Sequence, residues 1–162
     1  MPMDMDEIRS TLNDLIETCK DGQKGFLSSA EKLKDTEIRS LFLKLSRERA
    51  QFAGELQAEV TRIGGEPSTS GTTGGSIHRG WMGLQAALSS SSEQDHTILT
   101  EAERGEDGAA TSYREALNKD LPSDLHKIVR QQYEQIEQAR NLIRELRDRP
   151  REASSIPMAG LI

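Results

Sequence analysis

The sequence has very little of several residue types, and each shortage excludes a class of protein. Only 4% of its 162 residues are aromatic and 34% hydrophobic, and no apolar run approaches the roughly 18 residues of a membrane span. The single cysteine, Cys19, excludes a disulfide framework, and the lack of a CxxC motif excludes a zinc ribbon. Basic residues number 21 against 27 acidic ones, and the net charge of −6 argues against nucleic-acid binding. The first ten residues contain no apolar core of a secretory signal, so we expect a cytoplasmic protein.

The apolar residues that are present follow helical spacing in the first half of the chain. Steps of three and four residues place them on one face of a helix. The spacing predicts one helix over 6–33 and a second that begins after a cap at Asp35 or Thr36 and ends at Gly64-Gly65. The inward positions are Ile8, Leu12, Leu15, Ile16, Cys19, Phe26, Leu27, Ala30 and Leu33, then Ile38, Leu41, Phe42, Leu45, Phe52, Leu56, Val60 and Ile63.

The second half repeats this pattern after a low-complexity loop over 65–76. A third helix is predicted over 77–119 with a kink at Ser89–Ser92, and a fourth begins at Pro122-Ser123 and stops before Pro150. Residues 150–162 are expected to be a frayed tail outside a domain of residues 1–149. The inward positions are Ile77, Trp81, Leu84, Ala87, Leu88, Ile98, Leu99, Ala102, Ala109, Tyr113, Ala116 and Leu117, then Leu125, Ile128, Val129, Ile136, Ile143 and Leu146.

Four helices with short first and third connections and a long second connection predict an all-α four-helix bundle. Short connections make consecutive helices antiparallel neighbours, so the chain forms two antiparallel hairpins. A loop of the length of 65–76 can cross from one end of a bundle to the other, because an extended chain covers about 3.3 Å per residue. Two hairpins joined by one long crossover have the connectivity of ferritin-like bundles.

Each apolar stripe is interrupted by polar residues near its middle, and the interruptions can share one level of the bundle. Counting from the two hairpin turns places them at similar heights. The sequence therefore predicts a central polar layer composed of Gln23, Glu48, Arg49, Glu106, Gln132 and Arg140. Inward carboxylates must be paired with cations or bound to metal to remain charged.

The sequence lacks the familiar signature of a dimetal centre in such a layer. That signature combines one Glu from each of two helices with Glu-x-x-His from each of the other two. Only Glu93-x-x-His96 has this spacing, and it lies away from the middle of the bundle. The histidine positions that follow Glu48 and Glu137 are Gln51 and Arg140. These residues favour an internal ion-pair network, in which Glu48 and Glu106 face Arg49 and Arg140, and no cofactor is expected.

Several short motifs resemble a bacterial ferritin-like family of unknown function. They are Asp21-Gly22, Gly25-Phe26, Gly64-Gly65-Glu66-Pro67, His78-Arg79-Gly80-Trp81, Glu103-Arg104-Gly105-Glu106-Asp107 and Leu146-Arg147-Asp148. The resemblance covers about residues 6–149 and implies a ferritin-like bundle without an established activity. Relatives commonly have histidine at the position of Arg140, which weakens any metal role taken from the ferritin superfamily.

Two function hypotheses follow. The first is a non-enzymatic bundle that self-associates, with a dimer favoured; the resemblance and the ferritin superfamily associate it with stress protection. The alternative is a carboxylate-bridged, diiron-type protein for iron handling or O₂ chemistry. That alternative would bind iron or manganese through Glu48, Glu103, Glu106 and Glu137, of which the resemblance supports Glu103 and Glu106. Neither hypothesis identifies a small-molecule partner.

Overall fold

The computed structural model describes residues 2–71 and 93–150, which contain four α-helices and no strand. Their bounds are α1 Met5–Lys32, α2 Thr36–Arg62, α3 Gln94–Leu117 and α4 Ser123–Asp148. Within the described residues these bounds agree with the predicted helices to within about two residues, the usual uncertainty of helix ends. The predicted start of the third helix at residue 77, its kink at the serines and the tail lie outside the described residues. The domain boundary at residue 149 stays a prediction.

Aspartates begin the first two helices. The Asp4 side chain accepts a hydrogen bond from the Glu7 backbone N–H at 2.8 Å, and Asp35 accepts from Glu37 and Ile38 at 2.9 and 3.1 Å. These bonds satisfy backbone donors that have no partner within the helix. Only three residues separate α1 from α2, so the predicted antiparallel hairpin is confirmed.

The chain leaves α2 through two glycines and then runs along α1. Gly64 has a φ of +82°, and the Gly65 N–H closes the helix end on the Val60 carbonyl at 2.9 Å. The side chain of Arg9 donates to the Ile63 carbonyl at 2.7 Å, and Asn13 bonds both the Glu66 carbonyl and the Ser68 N–H. Ser68 also donates to Glu17 at 2.9 Å. Three α1 residues spaced four apart therefore fix the first part of the crossover.

Contacts at the two ends of the bundle establish its topology. At one end, the Asp95 carboxylate of α3 accepts hydrogen bonds from the backbone N–H groups of Lys34 and Asp35, both at 2.9 Å. These two residues lie in the connection between α1 and α2. At the other end, Arg62 of α2 pairs with Asp124 of α4 at 2.9 Å. Thus α3 starts where α2 starts and runs parallel to it, as the predicted long crossover requires. Around the bundle the order is α1, α2, α4, α3, with α1 opposite α4 and α2 opposite α3.

The core consists of two hydrophobic clusters stacked along the bundle axis. The cluster nearer the α3–α4 turn includes Leu12, Phe52, Tyr113 and Val129, and the other includes Phe26, Phe42, Ile98 and Ile143. Nearly all described residues of the predicted stripes are buried or half-buried.

Leu27 is the exception among these stripes, because 47% of its surface is exposed. The prediction that it faces inward is wrong. Leu27 is one residue, or about 100° of helical rotation, away from fully buried Phe26.

Candidate functional site

A buried arginine and a buried glutamate meet between the two hydrophobic clusters. The Arg49 guanidinium donates two hydrogen bonds to the Glu106 carboxylate, from Nη1 to Oε1 at 2.5 Å and from Nη2 to Oε2 at 2.6 Å. Each side chain is only 1% exposed. Since α2 and α3 lie diagonally across the bundle, this pair spans the core. The fork of a guanidinium matches the two oxygens of a carboxylate, which makes this bidentate geometry the strong form of an ion pair.

Aromatic rings and a glycine shape the space around the guanidinium. Arg49 Cζ lies 5.4 Å from the centre of the Phe26 ring and 5.8 Å from that of Phe52, one ring from each cluster. Both distances permit cation–π attraction. A Cβ atom at Gly22 would lie 3.4 Å from Arg49 Cγ, so the glycine lets the arginine stem pass close to α1. The two rings and the glycine therefore accommodate the buried Arg49 side chain.

The Glu106 carboxylate beside it keeps the Arg49 guanidinium charged. Burial lowers the pKa of the Arg49 guanidinium, but the adjacent Glu106 carboxylate raises it further, so the net shift is upward. Arg49 stays positive, and the buried carboxylate has a cation at hydrogen-bond distance. Nε of Arg49 is buried and has no hydrogen-bond partner in the described part of the molecule.

A second polar chain lies beside this pair and contacts all four helices. The Cys19 thiol of α1 and the Tyr113 hydroxyl of α3 are 3.0 Å apart, and Tyr113 donates to Gln132 Oε1 of α4 at 2.7 Å. The Gln132 amide donates to Glu55 Oε1 of α2 at 2.9 Å and to the Phe52 carbonyl at 3.3 Å. With the hydroxyl proton of Tyr113 directed to Gln132, the Cys19 thiol is the donor to Tyr113.

Burial determines the chemistry of the Cys19 thiol. It raises the pKa to about 11, and the hydrogen bond with Tyr113 only partly offsets this effect. Burial likewise raises the pKa of Tyr113 well above its ordinary value. Both groups are neutral at physiological pH, whereas a reactive thiol needs the thiolate form and access to solvent. Cys19 is thus a hydrogen-bonded core residue, on the inward face where its spacing predicted it.

The other residues of the predicted polar layer occupy different positions. Gln23 is half-buried, and its backbone carbonyl accepts a hydrogen bond from Ser46 at 2.8 Å. Glu48 lines a groove between α2 and α4, and its Oε1 atom is buried without a hydrogen-bond partner. Arg140 lies on the flank of the bundle, where it pairs with Asp107 and with Glu137 at 3.4 Å. The prediction that Arg140 faces Glu48 and Glu106 is therefore wrong, because nearer carboxylates on α3 and α4 take its guanidinium.

Three of the four carboxylates of the metal hypothesis are paired with arginines. Glu106 binds Arg49, Glu137 pairs with Arg140, and Glu103 pairs with Arg147 and with Arg144 at 3.1 Å. In the described ranges 2–71 and 93–150, no three His, Cys, Asp or Glu side chains form a group that could hold a metal ion. A cation already stands at each of these three carboxylates, so this donor set does not fit a dimetal centre.

The sequence placed Arg49 and Glu106 at one level and Gln132 among the inward polar residues, but it did not reveal the hydrogen bonds that join Gln132 to Tyr113 and Glu55. Glu106 and Tyr113 are seven residues apart, about two helical turns, so they share a face of α3. The spacing of Tyr113 predicts only a buried aromatic ring. Its hydroxyl group is the signal for a buried polar partner, because a buried Tyr O–H needs a hydrogen bond.

Comparison with known proteins agrees with this architecture. The domain of unknown function DUF2383 matches residues 7–119. A mutant of Dps1 from Mycobacterium smegmatis has a similar solved structure, with a TM-score of 0.70 and 13% identity over 88% of this chain and 96% of that one. No curated protein matches. None of the described helices has the length and apolar character needed to cross a membrane. The match over 7–119 and the four-helix topology show that this chain belongs to the DUF2383 family and has a ferritin-like fold.

Proposed function

We propose that this protein is a non-enzymatic, self-associating ferritin-like bundle in which an internal ion pair takes the place of a dimetal centre. The observation that carries the proposal is the Arg49–Glu106 pair, bidentate and 1% exposed on each side, at the level between the two hydrophobic clusters. A guanidinium there supplies the positive charge that inward carboxylates need. The pair fixes the register of α2 against α3 and requires no metal.

Electrostatics supports the exclusion of a dication from this level. The Arg49 charge is permanent, because a guanidinium does not lose its proton in proteins. A metal bound to Glu106 would have to displace the two guanidinium hydrogen bonds and then lie beside the cation it displaced.

Metal analysis of the purified protein tests this part of the proposal. Protein prepared without chelator is assayed for iron, manganese and zinc, and Fe(II) is then added in air to follow its oxidation. We expect metal far below one ion per chain and an oxidation rate equal to that of buffer. The alternative, a diiron-type protein with iron or manganese, predicts stoichiometric metal that is lost in Glu48→Gln and Glu106→Gln but kept in Glu115→Gln, an exposed control. That pattern would overturn the proposal.

Self-association, with a dimer favoured, is supported by the exposure of Leu27. A large aliphatic side chain that is 47% exposed on α1 gains about 1 kcal/mol or more when a second copy covers it. Light scattering coupled to size exclusion is expected to give twice the chain mass of 18.0 kDa. Leu27→Glu is expected to reduce the mass to that of the monomer, and Ser10→Glu, a change at an exposed polar residue toward the other end of α1, serves as the control. A monomeric wild type would contradict self-association without affecting the metal result.

A further inference from the structure

A groove of about 610 Å³ lies between α2 and α4, the neighbouring helices that pack most loosely. Its volume is within the range of about 300–1,000 Å³ typical of small-molecule sites. Leu41, Leu45, Ala139 and Leu142 form its apolar part, and Leu142 is 40% exposed. The groove therefore offers hydrocarbon surface that nothing in the described part of the chain covers completely.

The polar side of this groove contains a carboxylate that lacks a donor. Glu48 Oε1 is shielded from solvent and has no hydrogen-bond partner among the described residues. Burial raises the pKa of Glu48, although the nearby Arg49 charge opposes the shift. Arg49 does not supply a direct bond, because its two Nη atoms bond Glu106 and its Nε, like Glu48 Oε1, has no partner among the described residues. A desolvated carboxylate oxygen without a donor is costly, and a ligand that brings a charged N–H would relieve that cost.

The remaining polar groups favour a cation of moderate size over a metal ion or an anion. Three glutamines, Gln131, Gln135 and Gln138, present neutral amides along α4, and Glu134 adds a second carboxylate, which is paired loosely with exposed Arg130 at 3.4 Å. Lys44, an exposed residue of the groove wall, is the nearby cation that lowers the pKa of Glu48 alongside Arg49, but two carboxylates line the groove against this one ammonium group. No three His, Cys, Asp or Glu side chains of the described residues form a group that could hold a metal ion, whereas the half-buried Glu48 carboxylate beside leucines suits an ammonium group with a hydrocarbon chain.

We propose that the α2–α4 groove is a binding site for an aliphatic ammonium compound. Its N–H groups donate to the Glu48 carboxylate, and its hydrocarbon chain lies against Leu45, Ala139 and Leu142. The last torsion of a glutamate side chain rotates easily, so either carboxylate oxygen can turn toward the ligand. The site shares no residue with the Arg49–Glu106 pair, although the charges of that pair act on Glu48, and it does not require self-association.

Isothermal titration with n-hexylammonium chloride tests the site, with n-hexanol as the uncharged analogue of the same chain length. We expect saturable binding of one hexylammonium per chain and hexanol binding at least about tenfold weaker, the loss expected for a charge-assisted hydrogen bond. Equal binding of the two probes, or no binding of hexylammonium, would overturn the proposal. Displacement of hexylammonium by an equal concentration of Mn²⁺ would also overturn it, because the groove would then be a metal site.

Two variants separate the polar and apolar parts of the site. Glu48→Gln keeps the size of the side chain and is expected to weaken hexylammonium binding at least about tenfold. Leu142→Ser is expected to weaken it about fivefold through lost hydrocarbon contact. The control Glu115→Gln, an exposed change on α3, should leave the affinity unchanged. Helical circular dichroism confirms that each variant is folded, and an unchanged affinity in folded Glu48→Gln would contradict the assignment.

Discussion

The arginine at the centre of the bundle depends on its partner. Removing a guanidinium from water costs several kcal/mol, and the bidentate Glu106 carboxylate and the flanking rings of Phe26 and Phe52 compensate for this cost. Such a pair adds little net stability but makes any single replacement expensive, because the remaining charge is left buried alone. The effect of Arg49 on stability therefore depends on Glu106, and the effect of Glu106 depends on Arg49.

A double-mutant cycle tests this dependence. Arg49→Met and Glu106→Leu are each expected to lower the free energy of unfolding by about 3–5 kcal/mol, measured by urea denaturation. The double variant is expected to lose much less free energy of unfolding than the sum of the two single losses, because it leaves no unpaired charge buried in the core. The exposed pair Arg130–Glu134, 3.4 Å apart, is the control and should couple by less than about 1 kcal/mol. Additive effects at Arg49 and Glu106 would contradict the interpretation.

The buried thiol predicts a pH dependence of stability. Burial raises the pKa of Cys19 from its ordinary value of 9.0 to about 11, so the unfolded chain loses this proton first. Stability is therefore complete below pH 9 and falls as the pH rises toward 11. One proton contributes a slope of about 1.4 kcal/mol per pH unit.

Comparison with Cys19→Ser isolates this contribution. The serine keeps a hydroxyl beside Tyr113 but does not ionise in this range. The slope of unfolding free energy against pH, from urea titrations at several pH values, should be shallower in the variant by about one proton. Tyr113 titrates in the same direction in both proteins, because burial raises its pKa too. Identical slopes would show that Cys19 does not contribute.

At the scale of the helices, α1 does more than bury its apolar face. On its outer flank, Arg9, Asn13 and Glu17 bond the segment that follows α2, while its inner side contributes to both clusters. Because α1 is held in the core, the hydrogen bonds on its outer flank fix the direction in which the crossover leaves α2. The positive φ of Gly64 makes that exit geometrically possible.

Two glycine substitutions, one just after α2 and one within it, distinguish the effect of the positive φ at this exit from ordinary helix propensity. Gly64→Ala is expected to lower the free energy of unfolding by about 1 kcal/mol, because an L-residue is strained at a φ of +82°. Gly54→Ala is the matched control within the helix, where nothing lies within 4 Å of the added Cβ. Alanine there should raise stability by up to about 1 kcal/mol through its higher helix propensity. Equal effects of the two changes in urea denaturation would contradict the role of Gly64.

At the scale of the whole molecule, the two hydrophobic clusters share all four helices. Each helix contributes side chains to both clusters, so neither can unfold without disrupting the helices of the other. The ion pair and the Cys19–Tyr113–Gln132 chain connect the helices where the clusters meet. The bundle is thus expected to unfold as one cooperative unit.

Thermal unfolding with and without chelator tests whether metal contributes to that unit. A resident metal stabilises the folded state according to its affinity and concentration, and its removal lowers Tm. We expect EDTA to leave Tm, followed by circular dichroism, unchanged within about 1 °C, and added Mn²⁺ to have no larger effect. A decrease of several degrees on chelation that Mn²⁺ reverses would contradict a metal-free fold.

The sequence by itself determined the four helices of residues 2–71 and 93–150, their bounds and the antiparallel hairpins they form. Interactions between residues close in sequence are sufficient to determine helix bounds. The apolar periodicity, the Asp35 cap and the Gly64-Gly65 stop each act over only a few neighbouring residues. The sequence also placed Arg49 and Glu106 at one level, because hairpin turns fix heights along the bundle. The family resemblance agreed with these local patterns.

Only the tertiary structure decided which charged groups meet. Arg140 pairs with Asp107 and Glu137 rather than with Glu48, and Glu103 goes to Arg144 and Arg147. Height along the axis does not specify rotation about it, and a side chain that is 100° away from the core finds a different partner. For the same reason Leu27 lies outside the core, and Glu48 faces a groove that no periodicity could reveal. The sequence determines which faces are apolar, and the packing of four helices determines which polar groups come within hydrogen-bond distance.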